Sequence, residues 1–211
     1  MESIKKLIAE GEHQQQDFKY RIDDQKKIAR TLSAFANTDG GRLLIGVKDS
    51  GKIAGVNPEE EFYMIKGAAE LFCKPAVEVS SRVWQEDMRL VLEIRVDPVA
   101  ERNIHAKDED GRWKIYIRRD DHTVLANKII LKVWKLEKSG IEKPSLFKQE
   151  ELECLKMIAE HGVVTLSKLY RLLGTQKSAI DETLALLVHW NMVTIEFTSE
   201  GMFYRLSDHP E

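Results

Sequence analysis

Apolar residues recur with helical period at Ile28, Leu32, Phe35 and Ala36, starting after Asp24 and stopping at Asn37-Thr38-Asp39-Gly40-Gly41, residues that accept left-handed backbone angles. A helix there feeds the continuous apolar run Leu43 to Val47, which is bounded by turn residues. Asp49-Ser50-Gly51 offers a tight turn before Lys52 to Val56, so a hairpin in a buried sheet is predicted. Upstream, Ile4, Leu7 and Ile8 mark one face of a short helix within Met1 to Glu10, with Gly11 placed to stop it. Glu59 to Phe72 again has helical period, carried by Phe62, Ile65, Ala69 and Phe72, and Pro75 ends it. Val77 to Trp84 and Arg89 to Val96 flank Gln85-Glu86-Asp87-Met88 as a second hairpin. Trp113 to Arg119 is the last clear strand, and Ala126 to Glu137 returns to helix.

Lys138 to Leu146 contains Ser139-Gly140 and Lys143-Pro144 and has no periodic apolar face, which reads as a linker. Beyond it, Glu150 to Glu160, Leu166 to Leu173 and Lys177 to Trp190 are helical patterns separated at Gly162 and Gly174. Val193 to Phe197 and Met202 to Leu206 then read as strands joined at Ser199-Glu200-Gly201. Three helices followed by a β-ribbon is the winged helix-turn-helix order. The expected organisation is an α+β domain with a mixed sheet and flanking helices over 1–137, a linker over 138–146, and a small winged-helix domain over 147–211.

With 211 residues and 43% hydrophobic content, the chain can bury one good core and a smaller second one. No apolar run approaches the roughly 18 residues of a membrane span, and no signal-peptide pattern opens the chain, so a cytoplasmic protein without a membrane partner is expected. Cys73 and Cys154 sit among apolar helical neighbours outside any metal-ligand spacing, as reduced core residues would. The net charge of −3 means that any surface for polyanions has to be local. Up to Leu146 there are 26 Lys and Arg against 25 Asp and Glu; after it, 6 against 10. The basic capacity lies in the first domain.

Arg112 to Arg119 alternates, with Trp113, Ile115 and Ile117 on one face and Lys114, Tyr116 and Arg118 on the other. The first face suits a core. The second, with Arg119, suits nucleic acid, because cations contact phosphates while an aromatic ring stacks on a base or sugar; an ordinary exposed edge strand protected by its charges would look the same. Gly40 and Gly41 either present backbone amides to phosphate or cap the preceding helix, and the two roles are compatible. Gly46-Val47-Lys48-Asp49-Ser50-Gly51-Lys52 fits the start of a phosphate-binding P-loop, but Ile53 replaces the required Ser or Thr and a strand follows in place of a helix. ATP is therefore not an expected ligand.

The stretch from Gly11-Glu12 and Asp17-Phe18-Lys19 through Ser33-Ala34-Phe35-Ala36-Asn37-Thr38-Asp39-Gly40-Gly41, the apolar strand and Gly46-Val47 resembles the Schlafen AlbA-like (AlbA_2) DNA-binding domain family, over roughly Ile4 to Leu136. In the Schlafen proteins that cleave RNA, the resemblance implies three acidic metal ligands; the matching positions are Glu12, Asp17, where the family has Glu, and Asp49. Oxygen ligands of this kind suit Mg²⁺ or Mn²⁺. An equally plain reading has Glu12 capping near Gly11, Asp17 paired with Lys19 or Arg21, and Asp49 opening a turn. Schlafen proteins resemble two such lobes around a positive groove, so the single copy here suggests a homodimer.

The resulting expectation is a nucleic-acid-binding protein acting as a transcriptional regulator and requiring no cofactor to bind. Lys114, Tyr116, Arg118 and Arg119 would make the main contacts, with Lys19, Arg42, Gly40 and Gly41 secondary. In the winged helix, Lys168, Arg171, Lys177 and Ser178 would contribute, although Asp181 and Glu182 near the start of the third helix repel phosphate. The alternative is a Mg²⁺- or Mn²⁺-dependent endoribonuclease acting on structured RNA such as tRNA through Glu12, Asp17 and Asp49.

Overall fold

In the computed structural model, which describes residues 3–198 and 200–208, Ser3 caps a short helix α1 (Ile4–Ala9) that buries Ile4 and Leu7. Met1 and Glu2 of the expected helix, and Ser199 of the expected ribbon turn, lie outside the described residues. The chain divides into two units, Met1–Ala126 and Asn127–Glu211.

The first unit continues with β1 (Gln16–Lys19), α2 (Gln25–Asn37), β2 (Gly41–Ile45), α3 (Pro58–Leu71), β3 (Cys73–Lys74), β4 (Ser80–Glu86), β5 (Arg89–Val96), β6 (His105–Lys107), β7 (Trp113–Arg119) and β8 (His122–Leu125). It is α+β with a mixed sheet, as the pattern predicts: β1-β2-β5-β4, with β1 parallel to β2 and the other pairs antiparallel. A second four-stranded sheet, β3-β6-β7-β8, is antiparallel throughout. Asp24 caps α2 by accepting from the Lys26 and Lys27 N–H groups. Thr31 to Asn37 is buried without a break, because α2 packs both sheets: Leu43, Ile45, Leu92 and Ile94 of the first share its core with Ala106 and Tyr116 of the second. The opposite face of the first sheet, through Phe18, Leu44, Trp84 and Val91, receives Ile4 and Leu7 of α1.

The hairpin expected over Leu43 to Val56 is reduced to one bridge between Val47 and Ile53. Gly46 at φ +98° ends the extended run, and its carbonyl accepts from the Ala54 and Gly55 N–H groups. The segment after the turn folds back on Gly46 without adding a strand.

The second unit comprises α4 (Lys128–Ser139), α5 (Gln149–His161), α6 (Leu166–Leu173), α7 (Lys177–His189), β9 (Val193–Thr198) and β10 (Gly201–Leu206). The boundary precedes α4, where the sequence reading put it after. Ile129 of α4 is packed in one core with Cys154, Leu184, Ala185 and Leu187, and Gly140, read as linker, is the left-handed cap of this helix. After α4 come three helices and the antiparallel β9-β10 ribbon, with Val164 bridging Tyr204 to tie the α5–α6 connection to the ribbon. This is the element order of a winged helix. Among the described residues no helix is long and apolar enough to cross a membrane.

Candidate functional site

The Ser33 to Gly41 phrase is a structural socket. Ser33 Oγ donates to the Ile104 carbonyl at 2.8 Å, Asn37 Nδ2 donates to the carbonyls of Ile104 and Tyr116 at 2.7 and 3.1 Å, and Asn37 Oδ1 accepts from the Ile104 N–H at 3.0 Å. Thr38 Oγ1 accepts from the Arg118 N–H at 2.9 Å. These bonds join the end of α2 to the second sheet. Gly40, at φ +70°, gives its N–H to the Phe35 carbonyl at 3.0 Å, and a Cβ on Gly41 would lie 2.4 Å from the Phe35 ring. The glycines therefore cap α2 and admit the ring, and the Gly40 amide expected to meet phosphate is spent in the cap.

The structure brings two of the three candidate metal ligands together. Glu12 Oε1 accepts from the Phe18 N–H at 2.8 Å; burial holds its carboxyl above the ordinary range, the Phe18 bond opposes this, and neighbouring Asp17 raises it further. Asp17 is 5% exposed, and its two oxygens meet Lys19 Nζ at 2.6 Å and Arg118 Nη2 at 3.3 Å. Asp49 is exposed in its turn, and among the described residues no group of three His, Cys, Asp or Glu side chains is placed to hold a metal ion. The chain's own cations neutralise Asp17, so this donor set does not fit a divalent ion. Lys19, expected to contact nucleic acid, is occupied by Asp17 and by the Phe18 carbonyl at 2.7 Å. At the P-loop-like segment, Ile53 bridges Val47 and no helix begins.

Strand β7 is buried on both faces at its centre: Ile117 is 5% exposed, as the sequence reading expects, but the face expected to be open is buried too. Tyr116 and Arg118 are 8% and 2% exposed, whereas Trp113 is 40% exposed. The Arg118 guanidinium lies 5.1 Å from the Phe35 ring centroid and donates to the Gln16 carbonyl at 3.3 Å in addition to Asp17. Tyr116 belongs to the α2 core; burial raises its hydroxyl pKa, and Arg30 lowers it in part. Both residues are buried and so removed from any ligand surface, and the partners that bury Arg118 lie far away in sequence. Lys114 is half-buried on the same inward face, and Arg119 is exposed.

The first sheet carries a basic face that the sequence reading found only in part. Register places Arg42 opposite Arg95, and Arg82 opposite Glu93. Glu93 is fully buried: one oxygen accepts from Trp84 Nε1 at 2.6 Å, the other from Arg95 Nε at 2.6 Å, with Arg42 Nη1 at 3.9 Å. The Arg82 guanidinium stacks 3.7 Å from the Trp84 ring centroid. Arg42, Arg82 and Arg95 thus share one face with the buried carboxylate of Glu93. Beside them a cavity of about 260 Å³ is lined by Arg42, Arg95, Gly41, His13, Asp39 and Asp97. Arg82 and Arg95 were missed because they sit on separate strands of an ordinary hairpin; only the β2-β5-β4 register gathers them with Arg42.

In the second unit Arg171, Lys177 and Ser178 are exposed and Lys168 is half-exposed. The carboxylates expected to repel phosphate are engaged elsewhere. Asp181 is buried, paired with Lys128 at 2.7 Å and accepting from the Tyr170 hydroxyl, and Glu182 meets Lys132 at 3.5 Å. The start of α7 is left with Lys177, whose Nζ lies 5.5 Å from the Tyr170 ring centroid.

The Schlafen, AlbA_2 family model matches residues 12–127, more than half of the chain. Among solved structures, the DIP2311 protein of Corynebacterium diphtheriae is 18% identical with a TM-score of 0.44, over 92% of this chain and 34% of that one. The chain thus spans about a third of that protein's length. The amino-terminal domain of a RecG-related DNA helicase protein of Nitrosomonas europaea is 24% identical with a TM-score of 0.43, over 56% of this chain and 89% of that one. No curated protein matches the sequence.

Proposed function

This chain belongs to the Schlafen AlbA_2 family, and from that premise we propose that it binds nucleic acid through the outward face of its first sheet. The observation that carries the reading is the grouping of Arg42, Arg82 and Arg95 around Glu93. Like charges directly opposite on neighbouring strands disfavour the sheet, and here Arg42 stands directly opposite Arg95, with Arg82 in the next row beside Glu93. Such a face suits a polyanion, since guanidinium forks match phosphate oxygens bidentately. A local patch of this kind is compatible with a net charge of −3.

In its finer form, the protein is a DNA-binding transcriptional regulator acting as a homodimer. Support for this comes from the winged-helix order of the second unit, in which the third helix is the one that enters a major groove, and from the exposed Lys177, Ser178 and Arg171 at and before its start. Dimerisation is checked by sedimentation with and without duplex DNA.

The main test is fluorescence anisotropy with duplex DNA and with an RNA hairpin over a series of salt concentrations. Arg82→Glu should weaken binding about tenfold and reduce the slope of log affinity against log salt by about one. Affinity and slope both matching the wild type would remove this face from the interface.

A further inference from the structure

The second sheet turns Tyr116 and Arg118 toward α2, so Trp113, Ile115 and Ile117 lie on the opposite, outward face, which is closed at Ile117 (5% exposed) and open at the Trp113 end (40% exposed). Lys107 pairs with Trp113 in register, and the Lys107 N–H donates to the carbonyl of Phe72, whose half-buried ring also packs on the α2 core. Lys107 Nζ lies 5.1 Å from the Trp113 ring centroid and 5.5 Å from that of Phe72. The next outward row is Lys74, His105 and Ile115. Neither row contains a carboxylate. The acidic turn beyond Lys107 is engaged: Asp108 and Asp110 with Arg112, and Glu109 with Arg30.

We propose that this outward face is a stacking platform for an unpaired base of single-stranded nucleic acid, with Trp113 as the ring and Lys107 and Lys74 meeting the flanking phosphates. The inference rests on the nucleic-acid-binding reading and adds a second, chemically distinct surface to it. An indole that is 40% exposed, with Lys107 over one side of the ring, leaves ring surface for a base, and in a duplex the faces of the bases are already covered by their neighbours. Lys107 sits against two rings, so its ammonium is already placed before a phosphate arrives and less side-chain freedom is lost on binding. Lys74 is exposed on the adjacent strand. The aromatic ring and the cations thus sit together on a sheet, the arrangement by which single strands are held without reading their sequence.

The test uses the full chain, a labelled oligothymidylate of about 15 nucleotides, and a duplex of similar length, each followed by anisotropy. Trp113→Ala should weaken single-strand binding about tenfold, Trp113→Tyr should keep most of it, and duplex affinity should stay within about twofold of the wild type. Lys107→Met should weaken the single strand and lower its salt slope. Unchanged single-strand affinity in Trp113→Ala, an equal loss on the duplex, or wild-type binding to the duplex alone overturns the platform and leaves the arginine face standing. Failure of the wild type to bind either molecule overturns both readings.

Discussion

The guanidinium of Arg118 and the carboxylate of Asp17, 101 positions apart in the chain, meet at 3.3 Å with both side chains almost fully buried. Their contact links β1 to β7, and so the edge of the first sheet to the middle of the second. A buried ion pair adds little net stability over an apolar pair of the same size, but removing one partner leaves an uncompensated charge and costs about 3 to 5 kcal/mol. Arg118→Ala should therefore lower the unfolding free energy of the first unit, read from urea titration, by an amount in that range, with Lys19 beside Asp17 holding the loss to the lower end. Binding of nucleic acid per folded molecule should be unaffected. A variant that keeps its midpoint but loses affinity would return Arg118 to the ligand surface.

That pairing also explains where the sequence stopped being legible. Helices α2, α3, α5, α6 and α7 follow from period and caps, because those signals are local. Strands β1, β3, β6 and β8 are two to four residues long and were missed, because strands so short carry no alternation to read. Strand β1 looks polar, yet Gln16 is fully buried and its amide donates to the carbonyls of Leu7 and Gly11 at 2.6 and 2.7 Å. On β7 the alternation was visible, but that both faces are buried over Tyr116 to Arg118 was not. An arginine reads as surface and a tryptophan as core until the distant Asp17 and Phe35 that bury Arg118 are known. Of the site, Arg42 was legible as a lone cation, and the face it belongs to depends on sheet register.

Glu12 gives the first unit a pH dependence of known sign. Its carboxyl holds a proton more tightly when folded than at the ordinary value of 4.5, first because it is buried. Its contribution to stability is then fully present below 4.5 and is lost as pH rises through the raised value. Glu12→Gln keeps an acceptor for the Phe18 N–H and removes the titration. The stability of this variant relative to the wild type should improve steadily from below 4.5 to neutrality; urea midpoints with a constant difference across that interval would contradict it.

The two glycines of the α2 cap make a paired prediction. Alanine at Gly40 would adopt a left-handed φ of +70° and bring its Cβ to 2.8 Å from the Val96 carbonyl; at Gly41 the Cβ would strike the Phe35 ring. Each substitution should cost about 1 to 3 kcal/mol, measured as a drop in thermal midpoint. Because the Gly40 N–H is already bonded to Phe35, affinity for nucleic acid measured well below that midpoint should not change. An affinity loss at unaltered stability would restore the phosphate role to the turn.

Glu93 offers the sharpest separation of folding from binding, since the same carboxylate that holds the arginine face together also opposes an arriving phosphate. It accepts from Trp84 and Arg95 and, among the described residues, is the carboxylate in the cross-strand rows that carry Arg42, Arg82 and Arg95. Glu93→Gln keeps a carbonyl oxygen for the Trp84 N–H but removes the negative charge, so the opposed Arg42 and Arg95 repel with less compensation. The free protein should lose about 1 to 3 kcal/mol, the range for a weakened buried bond to a charged group. Its affinity for duplex DNA should rise instead, because the bound phosphates supply the missing negative charge, and ligand binding stabilises only the folded state. In a thermal shift experiment the variant should start below the wild type and gain more degrees from saturating DNA. If it starts lower and gains no more than the wild type, the arginines are a structural cluster and the polyanion binds elsewhere.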